Sequence, residues 1–232
     1  MIQSGDFTKP FYLWALAVLL ACTALFSACT HDSAPQTERM ERVDGKASVA
    51  VMPFIKGRDP RNLAQTLSCP FDNFCYEKTE LDPAADQILT EMLQEKLMSS
   101  LEERIFPLKR VRQVYFPMHL DYPESTPLNM AQKLGNELGV DYVVVGNVWR
   151  FRERVGSSMG VSEPASVAFA LYLVSVKEGE AVWQGRFNET QQSLSENVLK
   201  APEFFKRGAR WLKARVLARY GIDELLREFP LK

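Results

Sequence analysis

Cys69 and Cys75 have five residues between them within SCPFDNFCYEK, a spacing that suits a loop-closing disulfide in an oxidising compartment. Closing so small a ring would stabilise the chain by roughly 2 kcal/mol. A metal site there would need further Cys or His close in sequence, and there is none. Gly156-Ser157-Ser158-Met159-Gly160 satisfies the G-x-S-x-G pattern of a nucleophile elbow. That device needs a strand before it, a helix after it and a histidine later in the chain. The two histidines, His31 and His119, both precede it, and a proline-bearing loop and a strand follow. Glu102-Glu103 and the Asp82/Asp86 pair sit at helical positions, where carboxylates serve as a solvated face or as first-turn partners of the helix dipole. No glycine-rich phosphate loop occurs. The expectation is a chain that is not an enzyme and takes no cofactor and no metal.

The remaining cysteines, Cys22 and Cys29, belong to the amino terminus. FYLWALAVLLACTALFSA, residues 11–28, is an uncharged apolar run preceded by Lys9, the layout of a secretory signal. Its end, Leu25-Phe26-Ser27-Ala28-Cys29, resembles the lipobox of bacterial lipoproteins, with Phe26 where an aliphatic residue is usual. Leu19-Leu20-Ala21-Cys22 is a competing match, but cleavage there would leave TALFSA at the mature terminus, so Cys29 is taken as the lipidation site. A retained single-span anchor and a plainly secreted chain are the alternatives. The resemblance implies a triacylated cysteine, and three acyl chains exceed the single-chain limit of marginal attachment. Thr30 in place of Asp implies the outer membrane, facing the periplasm, rather than the inner one.

The rest of the chain must position any site. Of its 232 residues 46% are hydrophobic and 25% charged, so a packed core is feasible and wholesale disorder is excluded. With 28 basic and 29 acidic residues the net charge is -1, which argues against a nucleic-acid-coating role. Residues 29–45 are polar and aperiodic and are expected to be a flexible tether, with a root-mean-square reach of about 20 to 25 Å and about 50 Å if stretched. Residues 46–232 are expected to form one periplasmic domain.

Within it, 47–54 reads as a first strand and 55–81 as a long loop. Residues 82–101 read as a helix capped by Asp82-Pro83, and 110–115 as a short strand. After a loop from Pro117, a helix starts at Thr126-Pro127 and stops at Gly139. Strands at 141–151, 165–176 and 181–190 follow, the last two joined by a turn at Lys177-Glu178-Gly179-Glu180. The first of the three is expected to leave the sheet at an edge. A long helix over 203–220 and a shorter piece over 223–229 close the chain. The fold class is therefore α/β (α+β): a mixed sheet of about five strands with a carboxy-terminal antiparallel meander, and helices packed on the sheet.

In the last helix Lys206, Arg207, Arg210 and Lys213 oppose a Phe/Trp stripe and suit contact with a partner protein or with anionic headgroups, while Arg215 and Arg219 fall toward the apolar side. Nucleic acid is not expected, because interleaved exposed aromatics are missing.

With the elements placed, a wider likeness emerges. VAVMPF, ILTEMLQEKLMSSLEE, AQKLGNELGVDYVVVGNVWRF and FALYLVSVKEGEAVWQGRF together resemble the periplasmic domain shared by curli-secretion-type and penicillin-binding-protein activator lipoproteins, and are similar to the amino-terminal domain of the Tol-Pal propeller protein. The resemblance covers about residues 47–190 and implies architecture rather than chemistry. It implies a lipid-anchored, non-enzymatic binding or assembly factor with an envelope protein partner. The alternative is a subunit of an oligomeric outer-membrane secretion channel, and the oligomeric state is open. Against the channel, RERVGSSMGVSEP between Phe151 and Ala165 is too short and too charged for a membrane-crossing hairpin, whose strands need about 9 to 11 residues each.

Overall fold

The computed structural model describes residues 36–39, 46–57, 81–122, 125–191 and 210–231. The chain divides into two units, Met1–Ser33 and Ala34–Lys232, and every described residue belongs to the second. Cys22, Cys29, Cys69, Cys75, Lys206 and Arg207 lie outside the described residues.

The strands are β1 (Gln36–Arg39), β2 (Val49–Val51), β3 (Ile55–Lys56), β4 (Tyr142–Arg152), β5 (Val155–Gly156), β6 (Val161–Glu163), β7 (Ser166–Ser175) and β8 (Ala181–Thr190). The α-helices are α1 (Ala85–Leu101), α2 (Leu108–Asp121), α3 (Pro127–Leu138) and α4 (Ala214–Leu225). The main sheet runs β1-β8-β7-β4-β2, with β3 also beside β4. β2 and β3 are parallel to β4, and β4-β7-β8 is the expected antiparallel meander, with β1 antiparallel to β8. β5 and β6 form a small separate hairpin.

Every residue of β7 is buried, as its two-sided apolar sequence requires. One core fills the space between the sheet and α1 with α4, holding Leu89, Leu93, Phe169, Trp183 and Phe187. The other lies under α2 and α3 and holds Val143, Val145, Tyr172, Val111 and Leu134. The helices therefore cover both faces of one mixed sheet.

Four residues expected in the tether, Gln36–Arg39, instead form β1 on the outer edge of β8. The first strand is shorter than expected because Pro53 interrupts it, leaving β2 and β3 as two pieces. α1 begins at Ala85, later than Asp82-Pro83 suggests; Asp82 serves the turn before it, accepting from the Ala84 N–H at 2.8 Å. The Thr126 side chain caps α3 through the Asn129 N–H, and Gly139 ends it in the left-handed conformation at φ 69°. β4 stays internal throughout rather than leaving at an edge, for β3 and Leu81 flank its second half.

The strand expected over 110–115 is a helix. Val111, Val114 and Tyr115 are strand-favouring types, but Val111 and Tyr115, the two buried residues of α2, are four apart and share one helical face. Pro117 lies inside α2 rather than ending it.

Of the helix expected over 203–220, residues 203–209 lie outside the described residues, and the described part is shifted. Arg210 to Lys213 is not helical, and α4 runs through Gly221, the expected stop. Its buried face is Ala214, Leu217, Ala218, Gly221, Ile222 and Leu225, so Arg215 and Arg219 are exposed rather than turned inward. Gly221 is a point of close approach: a Cβ there would stand 2.5 Å from the Phe187 ring.

A clamp fixes the start of the sheet. The Ser48 N–H and hydroxyl donate to one Asp141 carboxylate oxygen at 2.8 and 2.7 Å, while the Asp141 N–H donates to the Ser48 hydroxyl at 3.1 Å. These bonds from the Ser48 backbone and side chain hold the Asp141 carboxyl below its ordinary range. A folded pKa depressed in this way gives stability that is present above the unfolded value, about 4, and lost as pH falls through the folded one. Asp141→Asn is therefore expected to melt below the wild type near pH 7 and to converge with it in acid, as thermal melts across that range would register.

Candidate functional site

The described residues Arg210 and Lys213 do not lie along a helix face. Both are exposed and sit in the extended segment leading into α4, with Lys213 as its N-cap. Such a segment leaves peptide groups without intrahelical partners, and here they are met from two other places in the fold.

The first is Gln191, just past the end of β8 and 5% exposed. Its amide NH2 donates to the Arg210 carbonyl at 2.9 Å, and its oxygen accepts the Leu212 N–H at 2.7 Å. Its own backbone N–H donates to the Ala165 carbonyl at 3.0 Å, which fixes the side chain that does the holding.

The second is the β5–β6 hairpin with the two residues before it. The Ser158 carbonyl accepts the Trp211 N–H at 3.1 Å, and the Arg154 guanidinium donates to the Trp211 carbonyl. The Glu153 carboxylate accepts the Ala214 N–H at 3.2 and 3.3 Å. Lys213 offers no side-chain cap, so Glu153 caps α4 from another element, with its negative charge at the positive end of the helix.

These contacts make one surface from chain segments far apart in sequence. Arg210 and Lys213 are presented on a backbone with few free torsions, beside a hairpin whose tip residue Met159 is 91% exposed and whose Val155 is 53% exposed. The Ser157 N–H bonds the Gly160 carbonyl at 2.8 Å and its hydroxyl accepts from the Met159 and Gly160 N–H groups, so the tip is ordered by its own turn. An exposed apolar tip beside a held backbone segment that carries two exposed cations suits docking, since binding it orders little backbone that is not already ordered.

The other candidate chemistry disperses. Ser158 lies at a hairpin tip between two strands, not at a strand-to-helix elbow. His119 is in α2 with its ring stacked on Tyr115, centroids 5.4 Å apart and planes 9° apart. Among the described residues no group of three or more His, Cys, Asp or Glu is arranged to hold a metal ion. No described helix is long and apolar enough to cross a membrane.

Gln191, Glu153 and Arg154 were not singled out by the sequence, although they position the segment. One signal was present: α4 begins at Lys213-Ala214 with no capping residue of its own, so its N-terminus required a partner elsewhere.

No protein-family model and no curated protein matches the chain. Solved structures do. The PelC dodecamer from Paraburkholderia phytofirmans is similar at 16% identity and TM-score 0.48, over 85% of this chain and 95% of that one. A lipoprotein from Neisseria meningitidis is similar at 17% identity and TM-score 0.41, over 70% of this chain and 94% of that one. The LpoB C-terminal domain from Salmonella enterica is similar at 14% identity and TM-score 0.38, over 64% of this chain and 86% of that one. All three likenesses are distant.

Proposed function

We propose that this chain is a lipid-anchored, non-enzymatic binding or assembly factor of the cell envelope, held at Cys29 on the periplasmic side of the outer membrane, and that it docks a protein partner through the β5–β6 hairpin and the Arg210–Lys213 segment. The observation that carries the docking role is the pinning of that segment by Gln191, Ser158, Arg154 and Glu153 beside the 91% exposed Met159. The anchor rests on the Cys29 lipobox, and the oxidising compartment it implies suits a Cys69–Cys75 disulfide.

β1 shortens the leash. With Gln36–Arg39 in the sheet, residues 30–35 link Cys29 to the domain, and six residues span about 20 Å at full extension. The docking surface then searches a thin layer next to one membrane, where its effective concentration toward a membrane partner is high.

The channel reading finds no support in this hairpin, whose strands have two and three residues where a membrane crossing needs about 9 to 11.

A photo-crosslinking residue at position 159 tests the docking role in intact envelopes, with position 177, in the exposed β7–β8 turn, as its control. A discrete protein adduct is expected from 159 and not from 177. Arg210→Glu with Lys213→Glu is expected to reduce it at least about tenfold, equivalent to about 1.4 kcal/mol. No adduct at 159, or equal adducts from both positions, would reject the role. An adduct joining two copies of this chain would turn the reading toward a ring.

A further inference from the structure

α2 presents two different surfaces. Inward, Val111 and Tyr115 are buried under the sheet, with Val114 and Met118 packed beside them. Outward, Lys109, Gln113, Phe116 and Leu120 fall at spacings of four, three and four and form one stripe. The carboxy-terminal half of that stripe is apolar and bare. Phe116 is 52% exposed, Leu120 78%, and Tyr122, just past the helix, 51%. The amino-terminal half is basic, with Lys109 and Arg110 exposed in its first turn, while Arg112 pairs with Glu91 of α1 at 3.2 Å; Asp121 is the single acidic residue of the helix. Lys133 of α3 brings a further cation to the apolar end, its ammonium 3.7 Å from the centre of the Tyr122 ring. A shallow hollow lined by Leu108, Lys109, Arg112, Gln113, Phe116 and Pro117 joins the two halves.

A self-contained domain has no reason to leave Phe, Leu and Tyr together on a helix it could have made polar. Their chemistry says what covers them. Aromatic and aliphatic side chains flanked at both ends by cations, on a helix about 21 Å long lying along the outside of the fold, match the boundary between acyl chains and anionic headgroups. In such a boundary the rings and Leu120 enter the outer acyl region, while the Lys and Arg heads stay at phosphate depth.

We infer that the outer face of α2 is a membrane-contact surface that lays the domain on a phospholipid leaflet carrying anionic headgroups. The inference goes beyond the docking role and rests on the anchored reading only for keeping α2 near a bilayer. Acyl chains at Cys29 would hold the chain on the membrane without fixing which way the domain turns. α2 adds a second point of contact, and two points restrict that rotation. The β5–β6 hairpin is then offered to partners in a limited range of directions.

The test uses the full processed chain with Leu120→Trp, an exposed position where the change does not threaten the fold, reconstituted in vesicles with bromine-labelled acyl chains. One set contains phosphatidylethanolamine with phosphatidylglycerol, the other phosphatidylcholine alone. Fluorescence at position 120 is read as the difference from the chain with Leu120 intact, which removes the native tryptophans, and co-flotation with the vesicles reads the anchor separately. Strong bromolipid quenching with protection from aqueous acrylamide is expected in the anionic vesicles. Lys109→Gln and Arg110→Gln should each lower the docked fraction about fivefold there, equivalent to about 1 kcal/mol per cation.

Three outcomes overturn the inference. Position 120 open to acrylamide and untouched by bromolipid, in a chain that still floats, removes the α2 contact and leaves the anchor standing. Position 120 shielded from both quenchers means that protein, such as a second copy, covers the face. A chain that does not float with the vesicles removes the contact and the anchor together.

Discussion

Phe187→Ala is expected to destabilise the domain by about 3–5 kcal/mol, a large share of the 5–15 kcal/mol that domains typically hold in reserve. Phe187 is buried and joins two layers. Its ring lies 5.5 Å from that of Phe169 on β7 and presses on the α4 backbone at Gly221. Neither neighbour can fill the gap, because β7 is hydrogen-bonded on both sides and α4 has no side chain at that point. The cost should therefore fall near the top of the range for a lost aromatic ring. It should also be felt at Arg210–Lys213, since that segment leads into the helix the ring supports. Urea denaturation measures it as a drop in midpoint at unchanged slope. A loss under about 1 kcal/mol would mean that α4 does not pack on β8 as described.

Gly146→Ala is the second change of this size, for the opposite reason. The added Cβ would stand 2.4 to 2.6 Å from three atoms of the Phe54 ring, inside any permitted contact. Phe54 is held in turn. Its N–H donates to the Thr90 hydroxyl at 2.9 Å, and its ring meets Phe169 edge-on at 6.2 Å. Gly146 sits opposite Leu171 in the middle of β4, so the strand cannot step away. Overpacking of this kind costs about 3 kcal/mol, the upper end of its usual range. Phe54→Leu in the same chain should recover part of the loss, and a double-mutant cycle reads that recovery as coupling. Additive losses would show that the two residues do not touch.

The sequence made the meander legible for a simple reason. Ala165 to Val176 is apolar on both faces, Trp183 and Phe187 alternate with Gln184, Arg186 and Asn188, and Gly179 between the two strands takes the positive φ of 72° that its turn demands. Each feature is local. α2 reads as a strand because two local signals mislead together: Val111, Val114 and Tyr115 are strand-favouring types, and Pro117 looks like a stop. The deciding factor is the burial of Val111 and Tyr115 between α2 and the sheet, which is tertiary. The carboxy-terminal helix was placed in the wrong phase because Gly221 reads as a terminator, whereas its role is to admit the Phe187 ring, 34 residues away in sequence.

The candidate surface was half legible. Arg210 and Lys213 stand out by charge alone. What fixes them does not, for the bonds from Gln191, Ser158, Arg154 and Glu153 cross 19 to 61 residues of sequence. Side chains that hold a distant backbone leave no periodicity behind. The exposed stripe of α2 was hidden by the same misreading that made its segment a strand.

All of these surfaces matter in the proposed way only if the chain is fastened to a membrane through its amino terminus. Mass spectrometry of the protein recovered from its native envelope addresses that most directly. The account expects the mature polypeptide to start at residue 29, with the added mass of a diacylglyceryl group and one amide-linked acyl chain on the terminal cysteine peptide. A chain that retains Met1, or one that starts at residue 29 with no lipid on it, would contradict the account.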